Sequence, residues 1–213
     1  MKIHDVQQGS PQWEALRLGI PTASDFDKLL TPSFAIRTGE MPKTYLHKKL
    51  AEKFYGRPMD EGSTFNMDQG NLLEREAMPW LAFAHDIDPY RVGFCTTDDG
   101  RIGCSPDALI GEESGLEIKC PTAPIHLKYL LNGELPEDYR CQVHGSMYVT
   151  GRPRWMFLSY TRNGLPKLLL TVQRDEAIQA KIHEALTLFL ANFDAKYAVL
   201  SAMAAKENAG RPL

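Results

Sequence analysis

Apolar residues recur at helical spacing through the first 85 positions of the chain and at strand spacing in the stretch that follows. Ser10 stands before Pro11, and Trp13, Leu16 and Leu18 form an apolar side, which predicts a short helix capped by Ser10. Gly19-Ile20-Pro21 ends it. A second helix is expected from Thr22 or Ser24 through Phe26, Leu29 and Leu30. Residues 31–42, rich in Pro, Gly, Ser and Thr, read as a long loop carrying Arg37. Helix resumes over 44–55 and stops at Gly56-Arg57-Pro58. A longer helical pattern covers about 68–85, with a kink or restart expected at Pro79.

From Pro89 the period shortens to two. Residues 91–95 and 101–104 predict strands around a turn at Asp98-Asp99-Gly100. Residues 108–110 and 116–120, separated by 111–115, read as a hairpin. Helices are expected over 124–131 and 136–148. Strands are expected over 155–160 and 167–173, joined by the turn Arg162-Asn163-Gly164. Asp175 caps a closing helix with Ile178, Ile182, Leu186, Phe189, Leu190 and Phe193 at helical spacing. Helices, then a strand meander, then helices with two further strands describe an α/β sandwich, a central mixed sheet flanked by helices. With no repeat and no flexible linker, residues 1–213 read as one domain.

Composition narrows the class. The chain is 43% hydrophobic and 24% charged, the profile of a globular protein. No apolar run approaches the roughly 20 residues that cross a bilayer, and Met1-Lys2-Ile3-His4-Asp5 lacks the apolar core of a signal peptide, so a cytoplasmic protein is expected. Cys95, Cys104, Cys120 and Cys141 form no CxxC pair, which argues for buried thiols rather than zinc or an iron–sulfur cluster. The net charge of −3 means that any nucleic-acid path must be locally basic on an acidic body.

The chemistry lies in Ser105-Pro106-Asp107, then nine residues, then Glu117-Ile118-Lys119. In a strand, residues two apart share a face, so Glu117 and Lys119 emerge together while Ile118 packs behind. The hairpin partner brings Asp107 alongside. Two carboxylates and an ammonium in one place suit Mg²⁺, which binds through one or two carboxylates and keeps waters for a phosphate. Alone, Glu-x-Lys on a strand is usually a pair of solvated charges, and Pro-Asp usually marks a turn.

The surrounding blocks make the pattern specific. Trp13-Glu14-Ala15-Leu16-Arg17-Leu18-Gly19, Thr22-Ala23-Ser24, the segment 70–74, Cys104-Ser105-Pro106-Asp107, the segment 115–121, Gln142-Val143 and the segment 146–150 resemble the phage lambda exonuclease family in order and separation. That family includes the YqaJ-type viral recombination nucleases of the PD-(D/E)xK superfamily. The resemblance covers about 8–175 and implies a restriction-endonuclease-like core. It also implies a Mg²⁺-dependent 5′ to 3′ exonuclease, with Mn²⁺ as a possible substitute, that degrades one strand of linear double-stranded DNA to mononucleotides.

By resemblance, Asp107 and Glu117 are the metal-binding acids, Lys119 the catalytic lysine, Glu74 an acid that orders the metal site (Glu76 is its rival) and Gln142 a further motif residue. Arg17, Ser24, Thr22 and Ser105 match the 5′-phosphate pocket; surface and capping roles are the plain alternative. Arg37 is a tentative second DNA contact, and Phe65 or Met67 a candidate wedge. The family also implies a homotrimeric ring and a single-strand annealing partner. Lys43, Lys48, Lys49, Lys53 and Arg57 are candidates to line its channel, or else a solvated helix face. His144 and Tyr148 depart from the glutamine and tryptophan of the lambda enzyme at those places. An endonuclease on the same core and an inactive DNA-end-binding module are the competing readings.

Overall fold

The computed structural model describes residues 1–59, 65–162 and 164–209, and the backbone alone for 65–72 and 208–209. Strand β1 (Lys2–His4) leads into helix α1 (Pro11–Arg17). Ser10 caps α1 as expected, its hydroxyl accepting the Trp13 N–H at 3.2 Å, with Pro11 in the first turn where no N–H is required. The second expected helix is a single 3₁₀ segment, Ala23–Lys28, which buries Phe26.

Helix α2 (Glu40–Tyr55) starts four residues before the expected 44, because Pro42 sits in its first turn, where proline costs nothing. The loop before it is therefore shorter than predicted and is folded back through a Leu30–Ile36 bridge. Helix α3 (Phe65–His85) passes through Pro79 as one element.

The expected central mixed sheet is present, and a separate three-stranded sheet accompanies it. β1 pairs with β3 (Phe94–Thr96), and β3 with β4 (Gly103–Cys104). The strand expected over 91–95 is found as the shorter β3, and the two residues just before that range, β2 (Pro89–Tyr90), join the larger sheet. That sheet runs β2, β5 (Ala108–Ile110), β6 (Ser114–Lys119), β7 (Arg154–Ser159), β8 (Leu168–Gln173). It is mixed: β6 and β7 are parallel and the other neighbours antiparallel. A parallel pair needs a crossover, supplied by α4 (Ala123–Asn132) and α5 (Glu137–Thr150). Helix α6 (Glu176–Ala209) closes the chain, capped by Asp175, whose carboxylate accepts from the Ala177 and Ile178 N–H groups. No helix among the described residues is long and apolar enough to cross a membrane.

Alternation in β6 and β7 sorts side chains to two faces. Leu116, Ile118 and Leu158 pack with Ala77, Met78 and Leu81 of α3. Trp155 and Phe157 join the larger core with Val143 and Met147 of α5 and Ile182 and Leu186 of α6. The Trp155 ring presses so closely on Gly115 that a Cβ there would sit 2.3 Å from it, hence glycine in mid-strand. The cysteines are free; Cys95, Cys104 and Cys141 are buried and Cys120 half-buried.

His144 is buried on α5, its ring edge-on to Phe34 at 5.3 Å and its Nδ1 without a hydrogen-bond partner. Burial, then the nearby Arg140, lowers its pKa to about 4, with Asp175 opposing. A histidine that titrates near 4 when folded and near 6.5 when unfolded destabilises the fold as pH falls through that window. The unfolding free energy from urea titration should therefore drop between pH 7 and pH 4.5, by an amount on the order of 2–3 kcal/mol from this group, and His144→Gln should flatten that drop.

Candidate active site

The β5–β6 hairpin builds the acidic centre. Ala108 pairs with Leu116 at the end of the ladder, and the next residue outward, Asp107, lies beside Glu117 at the hairpin's open end. The Asp107 N–H donates to the Leu116 carbonyl at 3.1 Å, and the Asp107 carboxylate accepts the Ile118 N–H at 2.5 Å. Pro106, which precedes it, is held by Gln8, whose amide donates to the carbonyls of Pro106 (2.8 Å) and Val92 (3.0 Å). Arg152 grips the far end of the hairpin, donating to the carbonyls of Gly111 at 2.6 Å and Ser114 at 2.8 Å.

Two donors converge on one oxygen of Glu117. Lys119 reaches Oε1 at 2.6 Å and the Gln142 amide reaches the same atom at 2.5 Å from α5. Its other oxygen, Oε2, is buried with no hydrogen-bond partner among the described residues. Glu117 is 2% exposed, so bulk solvent does not reach it. The Lys119 ammonium also lies 5.1 Å from the centre of the Tyr139 ring. Tyr139 has no place in the sequence reading, although it precedes Gln142 by three residues and so shares its helix face.

The charges here do not balance. Burial, and then the negative charges of Glu117 and Glu74, hold the Asp107 carboxyl well above the ordinary range, against the pull of Lys119 and the Ile118 N–H. Glu74 is raised too, by burial first and then Glu117, with Lys119 and Arg91 opposing. Burial works against the Lys119 charge, but Glu117 and Asp107 outweigh it and keep the ammonium protonated beyond its usual range. Glu74 therefore stands in the field of this centre, whereas Glu76 is exposed and ion-paired with Arg162. Among the described residues, no group of three or more His, Cys, Asp and Glu side chains is arranged to enclose a metal. The centre is a two-carboxylate site, Asp107 and Glu117, with an unserved oxygen.

A basic pocket adjoins it. The Arg17 guanidinium donates to the Ser105 hydroxyl at 2.9 Å and stacks 4.2 Å above the Trp13 ring. The Trp13 indole N–H donates to the same hydroxyl at 3.0 Å. This role of Trp13, one turn before Arg17, is a second one the sequence reading missed. Among the described residues, no carboxylate lies within ion-pairing distance of Arg17. Burial lowers its pKa, with Asp25, Tyr45 and Glu52 opposing. The Thr22 and Ser24 hydroxyls are 3.3 Å apart, and Thr22 also donates to Asp25.

Other candidates fall elsewhere. Arg37 spends its Nε on the carbonyls of Asp27 (2.7 Å) and Leu30 (3.0 Å), pinning the loop before α2. Lys49 is not on a solvated face: it is 4% exposed and ion-paired with Glu52, which removes it from any channel lining. Lys43 pairs with Glu40 at the surface. The side chains of Phe65 and Met67 lie outside the described residues.

The model of the YqaJ-like viral recombinase domain family matches residues 12–153, which contain both the acidic centre and the basic pocket. Among solved structures, the chain is similar to the alkaline exonuclease LHK-Exo from Laribacter hongkongensis at 27% identity, with a TM-score of 0.82 over 92% of this chain and 99% of that one. The same enzyme in complex with dAMP matches at 28% identity and the same coverage. A phage-related exonuclease from Haemophilus somnus 129PT shares the fold at 14% identity, with a TM-score of 0.61 over 86% of this chain and 96% of that one. No curated protein sequence matches significantly.

A raised carboxyl pKa means that the charged form destabilises the fold above the ordinary carboxyl range. Asp107→Asn keeps an acceptor for the Ile118 N–H and removes the charge. It should raise the melting temperature at pH 8 in EDTA. The gain should fade as pH is lowered toward the ordinary carboxyl range. A differential scan at two pH values checks both.

Proposed function

The chain belongs to the YqaJ-like viral recombinase domain family, and on that premise we propose that it is a Mg²⁺-dependent 5′ to 3′ exonuclease acting on linear double-stranded DNA. The observation that carries this reading is the buried, unpartnered Oε2 of Glu117 opposite a carboxyl group that burial and repulsion hold far from its ordinary pKa. Such an oxygen calls for a cation. Asp107 and Glu117 would hold Mg²⁺, or Mn²⁺ in its place, since hard cations of this kind use one or two carboxylates and keep open positions. Bound there, the ion supplies charge neutralisation at the phosphoryl group and a more acidic water.

The side chains supply the rest. Lys119, held charged beside Glu117, faces an arriving phosphate with a compact positive group and can orient the attacking water. Gln142 fixes the Glu117 rotamer from α5, and Tyr139 supports the ammonium. Glu74 adds negative charge that favours cation capture. Arg17, with Ser105 and the Thr22 and Ser24 hydroxyls, would hold a terminal 5′-phosphate by charge-assisted bonds. Ser105 and Asp107 are two residues apart, a span of at most ~7 Å. An anchor that close to the acidic centre favours removing one nucleotide at a time from the 5′ end.

The dAMP bound by LHK-Exo supports a nucleotide product here. Membership of the family further supports a homotrimeric ring, a single-strand annealing partner, a role in phage-type recombination, and action in the cytoplasm of a bacterium or phage-infected host.

The test uses linear duplex DNA with a 5′-phosphate on one strand, closed circular DNA, and an EDTA control. Mononucleotides should leave the phosphorylated strand alone, and EDTA should stop them. Lys119→Ala should lower kcat by at least ~10²-fold. Cleavage of the circle would make the protein an endonuclease, and binding without cleavage in any divalent metal would make it an end-binding module. Arg17→Ala should raise KM by about 10–100-fold on 5′-phosphorylated ends, the loss of charge-assisted bonds, and leave 5′-hydroxyl ends little changed.

A further inference from the structure

Helix α2 carries Tyr45, Lys49 and Glu52 at i, i+4 and i+7, one stripe of one face. All three are buried. An inward stripe in that register is ordinarily apolar, because a phenol, an ammonium and a carboxylate are each costly to remove from water. An apolar stripe of the same shape would pack as well, and often better, than a buried ion pair. Packing alone therefore does not account for these residues.

Their polar atoms point to what they serve. Oε2 of Glu52 accepts from Lys49 at 2.9 Å and from the backbone N–H of Gly19 at 3.2 Å. The Tyr45 hydroxyl accepts the backbone N–H of Thr22 at 3.3 Å, and the Lys49 ammonium lies 5.6 Å from the Tyr45 ring. Helix α2 thus holds residues 17–22 at two backbone points, between Arg17 at one end and Thr22 at the other. Gly19 fits this brace in two ways. Its φ is +71°, and a Cβ there would come within 2.8 Å of the Lys53 Cβ, so backbone rather than side chain meets the helix.

We propose that Glu52, neutralised by Lys49, is a positioning and specificity-determining residue for the 5′-phosphate pocket. It fixes the 17–22 segment so that the Arg17 guanidinium and the Thr22 and Ser24 hydroxyls address one terminal phosphate. The inference rests on the reading of Arg17 given under Proposed function. Lys49 neutralises Glu52, so the brace acts through the acceptor it offers the Gly19 N–H and not through a net charge. With Lys49 beside it, Glu52 neither captures Arg17 nor repels an incoming phosphate. Arg17 is left without a carboxylate partner among the described residues, free for a ligand.

Two double variants separate positioning from bulk stability. Lys49→Met/Glu52→Gln and Lys49→Met/Glu52→Leu both remove the buried charges, but only the first keeps an acceptor for the Gly19 N–H. On duplex ends bearing a 5′-phosphate, the leucine double should raise KM about tenfold with kcat within about twofold. On 5′-hydroxyl ends it should match the wild type, and the glutamine double should stay close to wild type on both. Equal KM values across all three proteins, or an equal loss on both kinds of end, overturns the inference. Should either double fail to fold, amide exchange on the wild-type protein decides. The Gly19 N–H should gain protection when a short 5′-phosphorylated duplex binds and not when its 5′-hydroxyl counterpart does; equal protection overturns the inference. A wild type indifferent to the terminal phosphate sinks the pocket reading and this inference together. A wild type that prefers the phosphate, with a leucine double that keeps the preference, sinks this inference alone.

Discussion

Burial of like charge is the constraint around which this molecule is arranged. Asp107 and Glu117 lie beside each other at the open end of a short antiparallel hairpin, with Glu74 in the same field, and among the described residues Lys119 is the ammonium set against them. Repelling carboxylates would pull a loose hairpin out of register. The hairpin is instead held at every level: Arg152 grips its turn, Gln8 fixes the approach to Asp107, and Gln142 and Lys119 share one oxygen of Glu117. Rigid support of this kind keeps a costly arrangement in place, which the proposed cation and phosphate would use.

The same logic, with the sign reversed, governs the neighbouring pocket. Arg17 is stacked on Trp13, tied to Ser105 and braced through its following loop by α2, yet no carboxylate among the described residues pairs with it. Three residues, Ser105-Pro106-Asp107, join the positive pocket to the negative centre. On the proposed reading, a terminal phosphate and a cation would be addressed by opposite charges a short stretch of backbone apart. A net charge of −3 does not conflict with membership of the YqaJ-like viral recombinase domain family, because a locally positive pocket can exist on an acidic body.

The two faces of the large sheet divide the labour. Leu116, Ile118 and Leu158 give α3 an apolar bed, and the alternate residues of the same strands, Glu117 and Lys119, are left for chemistry. The parallel β6–β7 pair requires the α4–α5 crossover, and that crossover is what carries Tyr139 and Gln142 over the acidic centre.

Local features of the chain by themselves determined the element types, the hairpin and the pairing of Asp107 with Glu117 and Lys119, because these follow from period-two alternation and from contacts ten residues apart. The Ser10 and Asp175 caps were legible for the same reason: a cap acts within one turn. The early start of α2 was obscured by Pro42, whose first-turn tolerance mimics a breaker, and the three-residue β1 is too short to show a period. Lys49 read as a solvated lysine because its composition and spacing are those of a surface helix. Which of Glu74 and Glu76 faces the centre, that Trp13 and Tyr139 support charged groups, and that Lys49 and Glu52 are buried were decided only by tertiary structure. Each depends on what packs against a helix face from far along the chain, and no local pattern encodes that partner.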